Sequence, residues 1–411
     1  MYKEIKKCRI SESENLTSVL DLGRQYLTGI FPESKEQKVS SGPLELVWCS
    51  ESRLLQLKHS YPLDEMYGNN YGYRSGLNQG MVNHLNHKVN HLTNIVHLGL
   101  NDLVIDIGSN DATLLKSYAR NDITKVGIDP TGKKFKEYYT DDIILIDEFF
   151  PAPTFKSNFE GKKAKIITSI AMFYDLENPI EFVKSIADTL HKDGIWHLEQ
   201  SYLPSMLKTN AYDTICHEHL EYYTLYNIKY LVEKCGLKII DVQINDINGG
   251  SFAVTVCHDK STNLSVNTPV IDWLLAQEER MGMHTPKPFH DFKERVFQHK
   301  KDLQELITNL NNAGKKIIGY GASTKGNVLL QFCGFGTNEI PFIAEVNKDK
   351  FGCVTPGTHI PIIPEQEARG MKPDYFFVLP WHFKNNILAR EKEYRASGGK
   401  FIFPLPYIEI I

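Results

Sequence analysis

The chain has 411 residues, 42% of them hydrophobic and 23% charged, ordinary usage for a protein that buries a core. At about 150 residues per domain the length calls for two to three domains and excludes a single small module. Forty-six basic against 50 acidic residues leave a net charge of −4, so no electrostatic footprint for nucleic acid or an anionic membrane is expected.

The first segment, MYKEIKKCRISESENL, carries charge but no apolar run, so no signal peptide is expected. No window approaches 18 consecutive apolar residues, and the seven scattered cysteines do not make a disulfide scaffold. The expectation is a protein of a reducing compartment, the cytoplasm. Up to about residue 65, Leu44, Leu46 and Trp48 alternate before Cys49, and Leu54, Leu55 and Leu57 follow it, which predicts a small β-rich unit. A Gly-, Asn- and Tyr-rich loop follows, and then Met81, Val82, Leu85, Val89, Leu92 and Ile95 fall at helical spacing. From residue 102, DLVIDIGS, TKVGID, DIILID, AKIITSIAM and GIWHLEQ alternate with helix-like segments such as LLKSYARN and NPIEFVKSIADTLHKDG, the pattern of a parallel sheet with helices on both faces. A helix ending near Gly236, the strand LKIIDVQI, an Asn-Gly-Gly turn at 248–250 and the strand SFAVTVC complete this part. Residues 266–314 read as helical with a Pro-Lys-Pro break at 286–288, and a second α/β pattern runs from KKIIGYGASTKGNVLLQF to KFIFPL. The expected fold class is therefore α/β, with a small β-rich module at 1–75 and two Rossmann-like doubly wound domains at 76–265 and 266–411.

Four motifs carry chemistry. In VIDIGSNDATLL, 104–115, a strand ends at Asp106, Gly108 lets the backbone turn and approach a ligand, and Asp129 stands 21 residues further on, where a carboxylate accepts from ribose hydroxyls. One glycine stands where a dinucleotide fingerprint has three, so an adenosine ligand without a pyrophosphate fits better, and S-adenosylmethionine is the candidate. In NAYDTICHEHLEYYTL, 210–225, His217 and His219 flank Glu218. An H-x-H pair can hold a metal, but no further ligand spacing follows, and a histidine beside a carboxylate suits proton abstraction. In IIGYGASTKGNVLL, 317–330, Lys325 and backbone N–H groups could face a phosphate, although the spacing is not that of a P-loop and a cofactor-free turn stays open. The last motif is Cys8-x-x-Ser11 with Cys49-x-x-Ser52: two half-knuckles, each with one sulfur, whose serine hydroxyls are poor zinc ligands.

Taken in order, LDLGRQYLTGIFP, PLELVWC, YGYRSGLNQGMVNHL, VIDIGSNDATLL, TNAYDTICHEHLEYY, NGGSFAV and GYGASTKGNVLLQF make the whole chain resemble the sugar C-methyltransferases, which methylate C-3 of nucleotide-linked 4-keto-deoxyhexoses. The resemblance implies an N-terminal zinc-binding-like module, a central class I methyltransferase domain and a C-terminal Rossmann-like sugar-nucleotide domain. It implies His219 as the base, Glu218 assisting, and His217, Tyr71 and Tyr73 at the active site. It implies a cofactor set of Asp106, Gly108, Ser109, Asn110, Asp129, Ala171 and Met172. Tyr174, Cys216, Asn248, Gly249, Tyr320, Ser323 and Lys325 would then meet a dTDP-, GDP- or CDP-linked sugar. Cys216 and Tyr174 stand where better-known members have Tyr and His, and no metal is expected at the degenerate Cys8 and Cys49. Two other readings stay open: an NAD-dependent nucleotide-sugar oxidoreductase or epimerase, using GYGAST with Glu345, and a binding module without catalysis. Within the enzyme class, O-methylation is also open.

Overall fold

The computed structural model describes residues 2–62, 66 and 74–411. The N-terminal part forms β1 (Lys3–Glu4), β2 (Leu16–Tyr26), β3 (Ser41–Cys49), β4 (Leu55–Leu57) and β5 (His59–Ser60). The alternation of apolar residues along β3 puts Leu44, Leu46 and Trp48 on its buried face.

The central part supplies β6 (Leu103–Ile107), β7 (Thr124–Ile128), β8 (Ile143–Ile146), β9 (Ala164–Ile170), β10 (Leu190–Ser201), β11 (Glu221–Tyr222), β12 (Leu237–Asn245) and β13 (Ser251–His258). Seven of these form one sheet in the order β12-β13-β10-β9-β6-β7-β8, in which β13 runs antiparallel to both its neighbours. Every residue of β6 is buried, as a strand covered on both faces requires. The chain goes outward from β6 to β8 and returns on the other side of β6 at β9, so the strand order reverses between β6 and β9. In open α/β sheets ligands bind at the carboxyl ends of the strands flanking such a reversal. β11 leaves this sheet and pairs with β4, so the N-terminal sheet, β11-β4-β3-β2, is completed by a strand from the central domain.

The helices Thr268–Arg280 and Lys287–Asn312 precede β14 (Ile317–Tyr320), β15 (Ile343–Glu345), β16 (Ile362–Pro364), β17 (Tyr375–Val378), β18 (Lys400–Phe403) and β19 (Glu409–Ile410). Their sheet order, β16-β15-β14-β17-β18-β19, reverses between β14 and β17. The protein is thus mixed α/β with two Rossmann-like domains and a small β-rich module. Among the described residues no helix is long and apolar enough to cross a membrane.

Three local expectations need correcting. LLKSYARN gives only the single helical turn Thr113–Lys116. The face it would have covered is filled by Gln79–Ile95, whose Met81, Leu85, Val89 and Leu92 pack on Val104, Ile166 and Ile195. The Pro-Lys-Pro break is a helix start, with proline in the first turn, where its missing N–H costs nothing. The Asn-Gly-Gly segment does join two antiparallel strands, but through a short 3₁₀ turn, Ile247–Gly249, with Asn248 in the left-handed region.

The half-knuckles meet. Cys8 Sγ lies 3.1 Å from Ser52 Oγ, and Ser11 Oγ lies 3.5 Å from Cys49 Sγ, so each cysteine pairs with the serine of the other knuckle. Two sulfurs and two neutral hydroxyls do not fit a tetrahedral structural zinc site, which needs four deprotonated or imidazole donors. We expect the purified protein to carry no stoichiometric zinc and its melting temperature to ignore chelators. The double variant Ser11→Cys/Ser52→Cys should take up about one zinc per chain, since it restores a four-thiolate set. Emission spectrometry of both proteins checks this, and stoichiometric zinc in the native chain would overturn it.

Candidate active site

The cofactor cradle is built where the central sheet reverses. Gly108 follows β6 with φ +76°, and a Cβ there would stand 3.1 Å from Met172 Cγ, so a side chain would close the space between the ends of β6 and β9. Asp129, buried at the end of β7, accepts from the Asn110 N–H at 2.7 Å and from the Thr131 N–H and hydroxyl, both at 2.6 Å. A carboxylate has about four lone-pair positions, so one direction remains for a ribose hydroxyl. Asp106 accepts from the Thr168 hydroxyl at 2.5 Å, while burial, with the charge of Asp129 adding to it, pushes its carboxyl up to about 7. Ala171, with φ +53°, donates its N–H to the Glu199 carbonyl at 2.7 Å and so turns the chain at the end of β9. This geometry suits an adenosyl ligand held by Gly108, Asp129, Ala171 and Met172.

The 3₁₀ turn Ser75–Leu77 lies on this loop: the Ser75 N–H donates to Asn110 Oδ1 at 3.0 Å and the Gly76 N–H to Asp111 Oδ2 at 2.9 Å. Arg74 stacks on the Tyr138 ring with its guanidinium carbon 4.5 Å from the centroid. Tyr71 and Tyr73, expected at the active site, lie outside the described residues.

His219 is the candidate base. His219 Nδ1 is 2.7 Å from the Thr214 carbonyl, an acceptor, so Nδ1 carries the hydrogen and Nε2 the lone pair. Tyr174 meets the ring edge-on, centroids 4.4 Å apart. Burial lowers the ring to about 4, against the Thr214 bond and with a smaller push from Lys325. His219 and Tyr174 share a cleft with Ser201, Tyr202, Glu221 and Tyr222. Glu218 sits under the N-terminal module: a Cβ on Gly29 would come 2.2 Å from its Oε1, and burial alone raises the carboxyl to about 7. No hydrogen-bond partner holds that carboxyl among the described residues.

The C-terminal domain closes the other side. Lys325 Nζ donates to the Asn248 carbonyl at 2.8 Å, and Trp381, just after β17, donates its indole N–H to Asp213 Oδ2 at 2.7 Å. The Trp381 ring lies 3.3 Å from where a Gly249 side chain would begin, with His382 beside it. These contacts bring the segment after β17 and the helix that carries Lys325 against the central domain at Asp213 and Asn248. The hydroxyl of Ser323 caps the helix Thr324–Cys333, accepting from the Gly326 N–H at 3.0 Å.

Four expected residues are placed differently. His217 turns away from His219 because a turn at 217–218 separates them; its Nε2 lies 3.3 Å from the Gly42 carbonyl and its ring edge-on to Tyr61. Ser109 points beneath the sheet to the Tyr139 hydroxyl at 2.8 Å. Tyr320 faces the interior of its own domain, where its hydroxyl donates to Glu391 Oε1 at 2.8 Å and meets Arg390. Cys216 is fully buried in the apolar cluster, and burial raises its thiol. The sequence reading missed Thr214 as the orienting carbonyl, Trp381 and His382 as cleft walls, and Glu221. Glu221 is buried with Oε1 3.5 Å from Arg9 Nε of the N-terminal module. Trp381 had a signal: like Met172, it lies within three residues of the end of a strand flanking a reversal.

The chain is similar to known methyltransferases. Three family models match in succession: "Putative zinc binding domain" over residues 8–67, "Methyltransferase domain" over 85–242 and "C-methyltransferase C-terminal domain" over 246–406. A curated relative, C-methyltransferase NovU of Streptomyces niveus, is 29% identical over 417 residues, spanning 100% of this chain and 98% of its own. Among solved structures, the CcbJ methyltransferase from Streptomyces caelestis aligns with 42% of this chain and 89% of its own at 8% identity, TM-score 0.33. The plantazolicin methyltransferase BpumL in complex with SAH aligns with 42% of this chain and 82% of its own at 12% identity, TM-score 0.34.

A hydrogen bond to a charged group contributes about 1.5–3 kcal/mol, so for Asp129→Ala we expect the calorimetric Kd for S-adenosylhomocysteine to rise about 10- to 100-fold. Unchanged affinity would place the ribose contact elsewhere.

Proposed function

We propose that this chain, which belongs to the C-methyltransferases built from these three domains and is an S-adenosylmethionine-dependent methyltransferase, methylates C-3 of a nucleotide-linked 4-keto-6-deoxyhexose. The observation that carries this reading is the His219 imidazole. Its tautomer is set by the Thr214 carbonyl, which leaves the lone pair on Nε2, and the ring lines a pocket with Tyr174, Ser201 and Tyr222. S-adenosylmethionine, when bound, supplies an electrophilic methyl group. The protein's own task is to make a carbon nucleophile facing it. A keto group acidifies the hydrogens on the carbons beside it; Nε2 of His219 takes one as a proton, and the ring is already neutral because burial holds it far below its ordinary 6.5. Tyr174 and Tyr222 wall the cleft and keep water from the enolate. In this reading the substrate is a dTDP-, GDP- or CDP-linked sugar, its nucleotide lies against the C-terminal domain, and the product is a branched deoxysugar.

The oxidoreductase reading would use Glu345. Glu345 accepts from the Ala322 N–H at 2.8 Å through one oxygen, and from the Val346 and Asn347 N–H groups at 2.7 and 2.8 Å through the other. It serves the turn after β14 and its neighbour and, like Asp129, keeps one lone-pair direction, so this carboxylate does not set the two readings apart.

The test is turnover of dTDP-4-keto-6-deoxyglucose with S-adenosylmethionine, the product read by NMR. A ketone at C-4 acidifies both C-3 and C-5, so a C-5 methyl would keep the mechanism and overturn the C-3 assignment. His219→Asn should keep its affinity for S-adenosylhomocysteine and lose about 10²–10⁴ in kcat; full turnover would remove His219 from the base role.

The pH profile separates Glu218 from the base. The ring is neutral at every pH well above about 4, so His219 should give no acid limb near 6.5. Glu218, raised to about 7, should give a limb there that Glu218→Gln removes. A limb near 6.5 that survives Glu218→Gln would mean that the base is a solvated histidine other than His219.

A further inference from the structure

Lys325 is the second residue of the helix Thr324–Cys333, and its side chain runs inward to the Asn248 carbonyl. That carbonyl is presented by a turn in which Asn248, Gly249 and Gly250 have φ of +54°, +93° and +123°, and which packs on Trp381. Among the described residues no carboxylate forms an ion pair or hydrogen bond with Lys325. Asp213, the acid whose charge it feels, gives Oδ2 to Trp381 and leaves Oδ1 without a partner. An ammonium has three donors, and one is used.

A chain of contacts links this cation to the base. Asn248 and Gly249 lie on Trp381, Trp381 holds Asp213, and the next residue, Thr214, holds His219. The charge of Lys325 bears on His219, Asp213 and His382 alike. A cation beside a general base lowers the base's proton affinity and so opposes the transfer it should perform. The arrangement is productive only where negative charge develops between the two.

We propose that Lys325 is the electrophilic partner of His219, its free N–H donating to the carbonyl oxygen next to the carbon that His219 deprotonates. The proposal rests on the C-methylation reading of this cleft. In the step, the C–H bond breaks and its proton goes to Nε2 of His219. The C–H electron pair becomes a carbon–carbon π bond, the carbonyl π pair moves to oxygen, and the ammonium stabilises that oxygen while keeping its own protons. A lysine that held the diphosphate would instead act on ground state and transition state alike.

The test uses the full chain with dTDP-4-keto-6-deoxyglucose in D₂O without methyl donor, following deuterium uptake beside the keto group, and then methyl transfer with donor. For Lys325→Met we expect both rates to fall about 10²–10³-fold, the effect of losing one oxyanion donor, with KM moved less than about threefold. Lys325→Gln keeps a donor toward Asn248 without the charge and should fall similarly; Lys325→Arg should recover part of the rate. Affinity for S-adenosylhomocysteine confirms that each variant is folded. A KM raised about tenfold or more with kcat and exchange kept would assign Lys325 to the diphosphate and overturn the proposal. Failure of the native chain to exchange or methylate would overturn the reading of the cleft itself.

Discussion

The cleft depends on one buried hydrogen bond, from the Trp381 indole to Asp213. Both groups are out of water, so separating them would strand an indole N–H and a carboxylate in an apolar setting, at a cost of several kcal/mol. The bond ties the end of β17 to the 3₁₀ turn Tyr212–Thr214 of the central domain. Its consequence is positional. Thr214, next to Asp213, orients His219; Trp381 supports the turn that presents Asn248 to Lys325. In the proposed reaction a base from one domain and a cation from another would thereby be held in register, a placement that reaction at a carbon centre rewards.

The cofactor half of the site was legible because its determinants are local. Gly108 and Asp129 belong to consecutive strands, and their spacing follows from the length of one strand–crossover–strand unit. The other half was legible only by type. A histidine beside a carboxylate names candidates, yet His217 and His219 sit two residues apart and do opposite things: one packs on Gly42 and Tyr61, the other faces the cleft. No periodicity decides that, because the segment between Thr214 and β11 is irregular. Tyr320 failed for a related reason. It lies in a motif that faces the ligand, but at the last strand position before the loop, where the side chain enters the interior and meets Glu391. Trp381 is far from the central motifs in sequence, and only the sheet reversal brings it to them.

Burial sets the chemistry of the cleft in two directions. The same desolvation that keeps His219 neutral raises Glu218 toward neutrality, so burial disfavours charge on both groups. An enolate forming between the imidazolium and the ammonium would replace water as the partner of both cations. In the proposed reaction a keto sugar able to enolise would supply the charge that this setting otherwise disfavours. A substrate without the keto group would receive the proton acceptor but offer no oxygen for the charge.

This dry environment needs a roof, and the N-terminal module supplies it. The Thr28 carbonyl accepts from Asn327 at 2.8 Å, Tyr26 exchanges backbone bonds with the Gln331 side chain, and Gly29 lies on Glu218. Zinc modules that stand alone draw about 10–16 kcal/mol of folding energy from the metal. Here that source is not required to place the roof. Strand β11 of the central domain extends the module's sheet, the Asn227 amide donates to the Ser52 carbonyl inside the second half-knuckle, and Trp48 packs toward Phe289 in an apolar cluster shared with the C-terminal domain. A module anchored on both catalytic domains can lose two thiolates without losing its position. The position, over Glu218 and beside the helix that carries Lys325, is what the cleft requires of it.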